Sequence, residues 1–196
     1  PESKLDLPAI TPEDVSILEF VAEHADIAAM SFANTPEDVK SLLAHIKRIG
    51  RGEPGIVLKI ETRRGFANLP AMLLEAMKSS SCGVMIARGD LAVETGFERL
   101  AEVQEEILWL CEAAHVPAIW ATQVLETLAK QGSATRAEIT DAAMGHRAEC
   151  VMLNKGPHIL EALKALGDIM KRMQAHQMKE MAMLGELRLA YNFPHE

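Results

Sequence analysis

Aromatic residues make up only 4% of this 196-residue chain, so its core must be built from Leu, Ile, Val, Ala and Met. Cysteine is also scarce. Cys82, Cys111 and Cys150 are odd in number, widely spaced and without a C-x-x-C pair, which argues against a disulfide scaffold or a structural zinc site. Each lies in an apolar run, where a free cysteine behaves as a small buried hydrophobe. All three are therefore expected to be reduced core residues, as in a cytoplasmic protein. Basic charge is in deficit, with 20 Lys and Arg against 28 Asp and Glu, a net charge of −8. That argues against nucleic acid or an anionic membrane as a partner. No apolar run reaches the roughly 18 residues of a membrane span. The N-terminus has neither the basic nor the apolar region of a signal peptide. There is no phosphate-binding P-loop, no G-x-S-x-G, and no G-x-G-x-x-G after the first apolar run. The seven histidines are scattered without ligand spacing. An initiator Met is missing before Pro1, as expected of a processed product or a piece of something longer.

What the chain has is 48% hydrophobic and 24% charged residues, enough to fold around a core and too much for disorder. Five apolar runs read as strands: Asp26–Phe32, Gly55–Glu61, Gly83–Asp90, Pro117–Thr122 and Glu149–Asn154. They alternate little, as parallel strands covered on both faces do. Helical patterns lie between them. Thr11-Pro12-Glu13 and Thr35-Pro36-Glu37 are start signals, and Val39, Leu42, Leu43 and Ile46 follow the second at helical spacing. Leu100, Val103, Ile107 and Leu110 repeat that spacing, and Thr135–Glu138 reads as a capping box. Strand ends recur every 29 to 32 residues, the period of a βα unit with right-handed crossovers. An open doubly wound sheet and part of a (β/α)8 barrel both fit. The polar residues favour the barrel, because Glu61, Asp90 and Thr122 all fall at strand C-terminal ends, where barrel active sites are built. The expected fold is α/β: a partial TIM (β/α)8 barrel of about five βα units, read as a single domain over 1–196. A long helical segment is expected over 156–190, with Ile159, Leu163, Leu166, Met170 and Met173 on its apolar stripe.

The chemistry is expected at those strand ends. Lys59 and Glu61 are two residues apart on a strand and so face the same side. Buried there, they need a ligand or each other. Gly89 lets backbone approach a ligand, and Asp90 beside Glu61 would give a hard cation such as Mg²⁺ its one or two protein carboxylates. A strand-end Asp is also a common helix cap. The Thr122 hydroxyl fits a substrate contact or proton carrier as well as a helix N-cap.

At these motifs the sequence resembles pyruvate kinase. The matching stretches are Leu5–Val15, Lys59–Asn68 (KIETRRGFAN), Gly83–Glu94 (GVMIARGDLAVE), Ala121–Leu128 (ATQVLETL), Thr135–Ala143 and Cys150–Asn154, in family order and spacing. They correspond to the later part of the family's catalytic barrel. The resemblance implies a glycolytic kinase that moves a phosphoryl group from phosphoenolpyruvate to ADP. Lys59 would stabilise the transferring phosphoryl group, and Glu61 and Asp90 would hold the catalytic Mg²⁺. Arg88, Gly89 and Asp90 would form the loop that receives the substrate carboxylate. Thr122 would lie near the enolate methylene, where protonation completes the reaction. K⁺ ligands and further phosphate ligands are expected mainly from barrel strands without a match here, so the chain alone is expected to be inactive. Thr135–Glu138 matches a segment near a subunit interface. That implies a homo-oligomer, or association with missing barrel segments, with Arg136 as a contact.

Two departures qualify the match. Asn154-Lys155-Gly156-Pro157 stands where the family usually has Ser-Gly-Glu-Thr, which removes residues tied to proton delivery and makes Lys155 a candidate replacement. Ala134 replaces the usual Pro before Thr135. Two other readings fit the same residues: a metal-dependent enolate lyase or aldolase with no nucleotide, and a non-catalytic interaction module using the last helix.

Overall fold

Three helices begin at a threonine with a reciprocal partner. Thr11, Thr35 and Thr135 each accept a hydrogen bond from the backbone N–H three residues on, and Asp14, Asp38 and Glu138 reach back to the cap N–H. These capping boxes begin α1 (Pro12–His24), α2 (Pro36–Ile49) and α7 (Arg136–Met144). Proline at the first position of α1 and α2 adds a preset φ where no N–H partner is needed. The computed structural model describes residues 8–174. The chain groups into two units, Pro1–Pro117 and Ala118–Glu196.

The first unit carries β1 (Ile27–Met30), β2 (Gly55–Ile60) and β3 (Cys82–Ala87), paired in parallel with Ala28 beside Ile56 and Ile60 beside Ile86. Between and after them run α2, α3 (Arg63–Ala76), α4 (Arg88–Thr95) and α5 (Leu100–Ala114), the last entered through a 3-10 turn at Phe97–Arg99. α2 packs on α1 and α3, and α3 on α5. Ile56, Val57, Leu58 and Ile60 of β2 are all buried, as are Val84, Ile86 and Ala87 of β3. Each of the Ile, Val and Leu side chains among them contributes about 1.5–3 kcal/mol. β1 departs from the two-sided burial expected of it. Ala28 and Met30 face in while Ile27 and Ala29 face out, so β1 alternates.

In the second unit, β4 (Ala118–Val124) and β5 (Cys150–Leu153) are parallel, with a register shift between Trp120 and Val124. α6 (Glu126–Gln131) and α7 connect them, and α8 (Ile159–Gln174) packs on α6, α7 and β5. β5 is also less covered than expected, and Cys150 on it is exposed. Only Cys111 is fully buried. Cys82 is half-buried, and loss of solvent there pushes its thiol pKa up. None of the three is in a disulfide.

On α8 the buried residues are Ala162 and Leu166, whereas Leu163, expected on the apolar stripe, is 57% exposed. The remainder of the segment expected over 156–190 lies outside the described residues, as do Leu5–Leu7 of the first matching stretch. The departing Asn154–Pro157 segment has a packing role. A Cβ at Gly156 would collide with the Ala129 carbonyl, and the His158 N–H donates to that same oxygen at 2.9 Å. Lys155 beside it is exposed.

The chain is thus α/β, with parallel strands each followed by helix. Among the described residues no helix is long and apolar enough to cross a membrane.

Candidate active site

Lys59 and Glu61 meet as their spacing demands. Lys59 Nζ lies 2.9 Å from Glu61 Oε1, with the Glu61 side chain only 5% exposed and that of Lys59 25% exposed. Mutual pairing accounts for part of their burial, but each has another partner. Lys59 Nζ donates to Ser31 Oγ at 2.7 Å, and the backbone N–H of Phe32 donates to Glu61 Oε2 at 2.5 Å. Both carboxylate oxygens are therefore engaged, as a buried carboxylate requires.

The Phe32 N–H reaches Glu61 because β1 ends in a turn. Phe32 has φ +50°, a left-handed conformation that a bulky residue adopts at a cost. Asn34 ties this turn down. Its carbonyl group Oδ1 accepts from Thr62 Oγ1, its Nδ2 donates to the Phe32 carbonyl at 2.8 Å, and its own backbone carbonyl accepts from Asn68 Nδ2 at 2.7 Å. Thr62 is also the N-cap of α3, accepting from the Gly65 N–H at 2.9 Å. Gly65 is required there, because a Cβ would collide with the Ala33 carbonyl oxygen. The ends of β1 and β2 thus form one hydrogen-bonded unit.

Asp90 is placed differently from its expected strand end. β3 stops at Ala87, and Arg88, Gly89 and Asp90 form the first turn of α4. Ala87 is the N-cap and no side chain caps the helix, so Asp90 is not serving as a cap. It is exposed in that first turn, while Arg88 is buried. A helix N-terminus with glycine at its second position presents backbone N–H groups toward an anion. Ile60 pairs with Ile86, so Glu61 lies one residue beyond the paired stretch, at the level of Ala87. Among the described residues no three His, Cys, Asp or Glu side chains gather as a metal cluster. Glu61 and Asp90 would offer two hard oxygen donors, a set suited to Mg²⁺ completed by water and substrate oxygens.

Thr122 lies in the second unit, and its backbone is unusual. Thr122, Gln123 and Leu125 have φ of +65°, +58° and +47°. Three non-glycine residues in the left-handed region within four positions, one of them β-branched, coincide with the register shift of β4. Such strain costs on the order of 1–3 kcal/mol per residue and clusters where geometry serves function. The N-cap of α6 is Leu125, not Thr122, which removes the capping alternative for that hydroxyl.

Sequence reasoning did not single out Ser31, Phe32 or Asn34. The only available signal was that Ser31 and Phe32 close the first apolar run.

The model of the pyruvate kinase barrel domain matches residues 1–157. The chain is 33% identical over 183 residues to a pyruvate kinase of Methanocaldococcus jannaschii, covering 90% of this chain and 40% of that protein. It is 35% identical over 178 residues to a pyruvate kinase of Thermotoga maritima, covering 87% and 37% respectively. With human pyruvate kinase PKLR it shares 34% identity over 182 residues, 89% of this chain and 31% of the relative. The chain thus spans two fifths or less of the length of these relatives. With the barrel-domain model matched over most of its length, and parallel strands alternating with helices as a partial barrel requires, the chain belongs to the pyruvate kinase family.

Proposed function

We propose that this chain supplies part of an active site that transfers the phosphoryl group of phosphoenolpyruvate to ADP. The carrying observation is the buried Lys59–Glu61 pair at the end of β2, held from β1 by Ser31 and Phe32. Lys59 places a positive charge where a phosphoryl group gathers negative charge in transfer. Glu61 and Asp90 would hold Mg²⁺, which when bound supplies further positive charge against the phosphoryl and enolate oxygens. The start of α4 at Arg88-Gly89-Asp90, an N-terminus with a glycine at its second position, suits the substrate carboxylate. Thr122 is assigned the hydroxyl that handles the enolate proton, and its strained backbone supports that assignment. K⁺ and further phosphate ligands are assigned to strands without a match in this sequence, so the chain alone turns over no substrate. Arg136, exposed in the first turn of α7, is assigned a contact with a second subunit or another barrel segment.

Mn²⁺ stands in for Mg²⁺ in the test. Its binding to the chain is followed by electron paramagnetic resonance, with Glu61→Gln and Asp90→Asn as variants. A coupled assay with phosphoenolpyruvate, ADP, Mg²⁺ and K⁺ runs alongside. The proposal expects Mn²⁺ binding that either variant weakens at least about tenfold, and no turnover by the chain alone. Absence of Mn²⁺ binding overturns the metal assignment, and robust turnover overturns the assigned dependence on other segments. Release of pyruvate from a 2-oxo or hydroxy acid without ADP would favour lyase chemistry instead.

A further inference from the structure

Lys59 is held by two acceptors of different kinds. Glu61 Oε1, at 2.9 Å, belongs to a carboxylate that a divalent cation would also use. Ser31 Oγ, at 2.7 Å, is neutral and comes from the end of the neighbouring strand. The second Glu61 oxygen is already occupied by the Phe32 N–H. A divalent cation arriving at Glu61 therefore meets the Lys59 ammonium on the same group, and like charges repel at that range. The ammonium needs an anchor that the cation does not claim. Among the described residues, Ser31 is the other acceptor that the ammonium meets.

We propose that Ser31 is a positioning residue for Lys59: its hydroxyl keeps the ammonium at the end of β2 when Glu61 turns to a divalent cation. This rests on the phosphoryl-transfer reading for its purpose, but the tether itself exists in the metal-free chain. The turn that carries Ser31 does not depend on the hydroxyl. Phe32 and Asn34 hold it through Glu61, Thr62 and Asn68. Replacing Ser31 therefore removes the anchor and leaves the turn in place. Without the anchor, Lys59 relies on Glu61 alone, and an incoming cation must displace it outright.

The test compares the unaltered chain with Ser31→Ala, Ser31→Thr, Lys59→Ala and the Ser31→Ala/Lys59→Ala double variant. Nitrogen-15 NMR of the metal-free chain reads the exchange rate of the Lys59 ammonium protons. Paramagnetic resonance reads Mn²⁺ affinity. Ser31→Ala is expected to speed ammonium exchange severalfold and to weaken Mn²⁺ binding about fivefold, the scale of one lost hydrogen bond. Ser31→Thr, which keeps a hydroxyl, restores both. In the Lys59→Ala background, Ser31→Ala leaves Mn²⁺ affinity unchanged, because the serine acts only through the lysine. Unchanged exchange in Ser31→Ala overturns the tether. A loss of Mn²⁺ affinity that persists without Lys59 shows that Ser31 acts on the site directly and also overturns it. If the unaltered chain takes no Mn²⁺, the metal site of the parent reading fails, and the exchange comparison still decides the tether by itself.

Discussion

The backbone N–H of Phe32 donates to Glu61 Oε2 across 2.5 Å, so a residue with no polar side chain holds the most buried carboxylate of the candidate site. The contact needs the left-handed turn at Phe32, a residue that is 56% exposed and contributes little by packing. The residue matters for its backbone. Phe32→Gly keeps the N–H and suits the positive φ, so its stability is expected to stay within about 1 kcal/mol of the unaltered chain. Phe32→Pro removes the donor and forbids the conformation. Its expected cost is about 3 kcal/mol or more, because a buried carboxylate oxygen is left unpaired. Urea denaturation of the two variants checks this, and equal midpoints would sink the idea.

Gly65 is the second position where the turn depends on backbone. In an ordinary helix Gly→Ala gains about 1 kcal/mol. Here the added Cβ would strike the Ala33 carbonyl, and backbone cannot swing aside as a side chain end can. Gly65→Ala is expected to lower stability by about 2 kcal/mol despite the better helix former. Because Ala33 follows Phe32 directly, the variant should also disturb the Phe32–Glu61 contact. A calorimetric scan showing a raised Tm would contradict the close approach.

These two positions show what was legible in the sequence and what was not. Strand positions were legible, because β2 and β3 bury side chains on both faces and so appear as unbroken apolar runs. The capping box at Thr135 was legible as such, and Thr11 and Thr35 were legible as helix starts, because a cap is side-chain chemistry with fixed spacing. α3 was harder to see, since Gly65 and Pro70 interrupt its pattern, yet it runs through Pro70. Lys59 and Glu61 were legible from their i, i+2 spacing. Phe32 was not, because its role arises from a positive φ and a backbone N–H, which carry no residue-type signature. Ser31 and Asn34 were not, because the partners of their side chains, Lys59 and Thr62, lie 28 residues away and meet them only in the folded sheet. Asp90 was assigned to a strand end since Gly83–Asp90 reads as one run, whereas β3 turns into α4 at Arg88. Burial of β1 on one face only was hidden by Ala29 and Ile27, apolar residues that face out.

Glu106 offers a prediction away from the site. It lies on the buried face of α5, 6% exposed, and its Oε2 has no hydrogen-bond partner among the described residues. A buried acceptor without a partner costs about 1–3 kcal/mol. Glu106→Met keeps helix propensity and most of the volume while removing that polar group. Its expected effect is stabilisation by about 1 kcal/mol, read as a higher urea midpoint with an unchanged slope. A loss of stability would mean that the carboxylate is satisfied in a way its surroundings do not provide.

Glu138 serves two helices. One oxygen accepts from the Thr127 N–H at 2.5 Å in α6, and the other from the Thr135 N–H at 2.9 Å and Thr135 Oγ1 at 3.1 Å at the start of α7. Burial alone would raise its pKa, but the combined hydrogen bonds from Thr135 and Thr127 outweigh that and hold it below the usual glutamate value. A carboxylate lowered in the folded state stabilises above its unfolded pKa and stops doing so as pH falls through the folded one. The contribution is therefore present at neutral pH and fades in the acid range below about pH 4.5. Glu138→Ala is expected to cost about 1 kcal/mol at pH 7, as a lost cap does. The difference should shrink toward pH 3. A gap that stays constant with pH would show that the charge is not what caps the helices.

Gln123 separates strain from chemistry at the end of β4. Its φ is +58° and its side chain is exposed, so glycine there relieves the backbone at almost no loss of packing. Glycine also gains freedom in the unfolded chain, which offsets part of the relief, so Gln123→Gly is expected to stabilise by about 0.5 kcal/mol. Thr122 shares the conformation, but its hydroxyl is the group assigned to the substrate. Thr122→Ser keeps that hydroxyl, whereas Thr122→Val keeps the shape and loses it. In a form of the protein that turns over phosphoenolpyruvate, Thr122→Val should lower kcat by at least about tenfold with little change in Tm. Thr122→Ser and Gln123→Gly should retain most of the rate. If Gln123→Gly instead lowers kcat as far as Thr122→Val does, the rate depends on the rigid left-handed backbone itself, and the hydroxyl assignment gives way to one based on main-chain geometry.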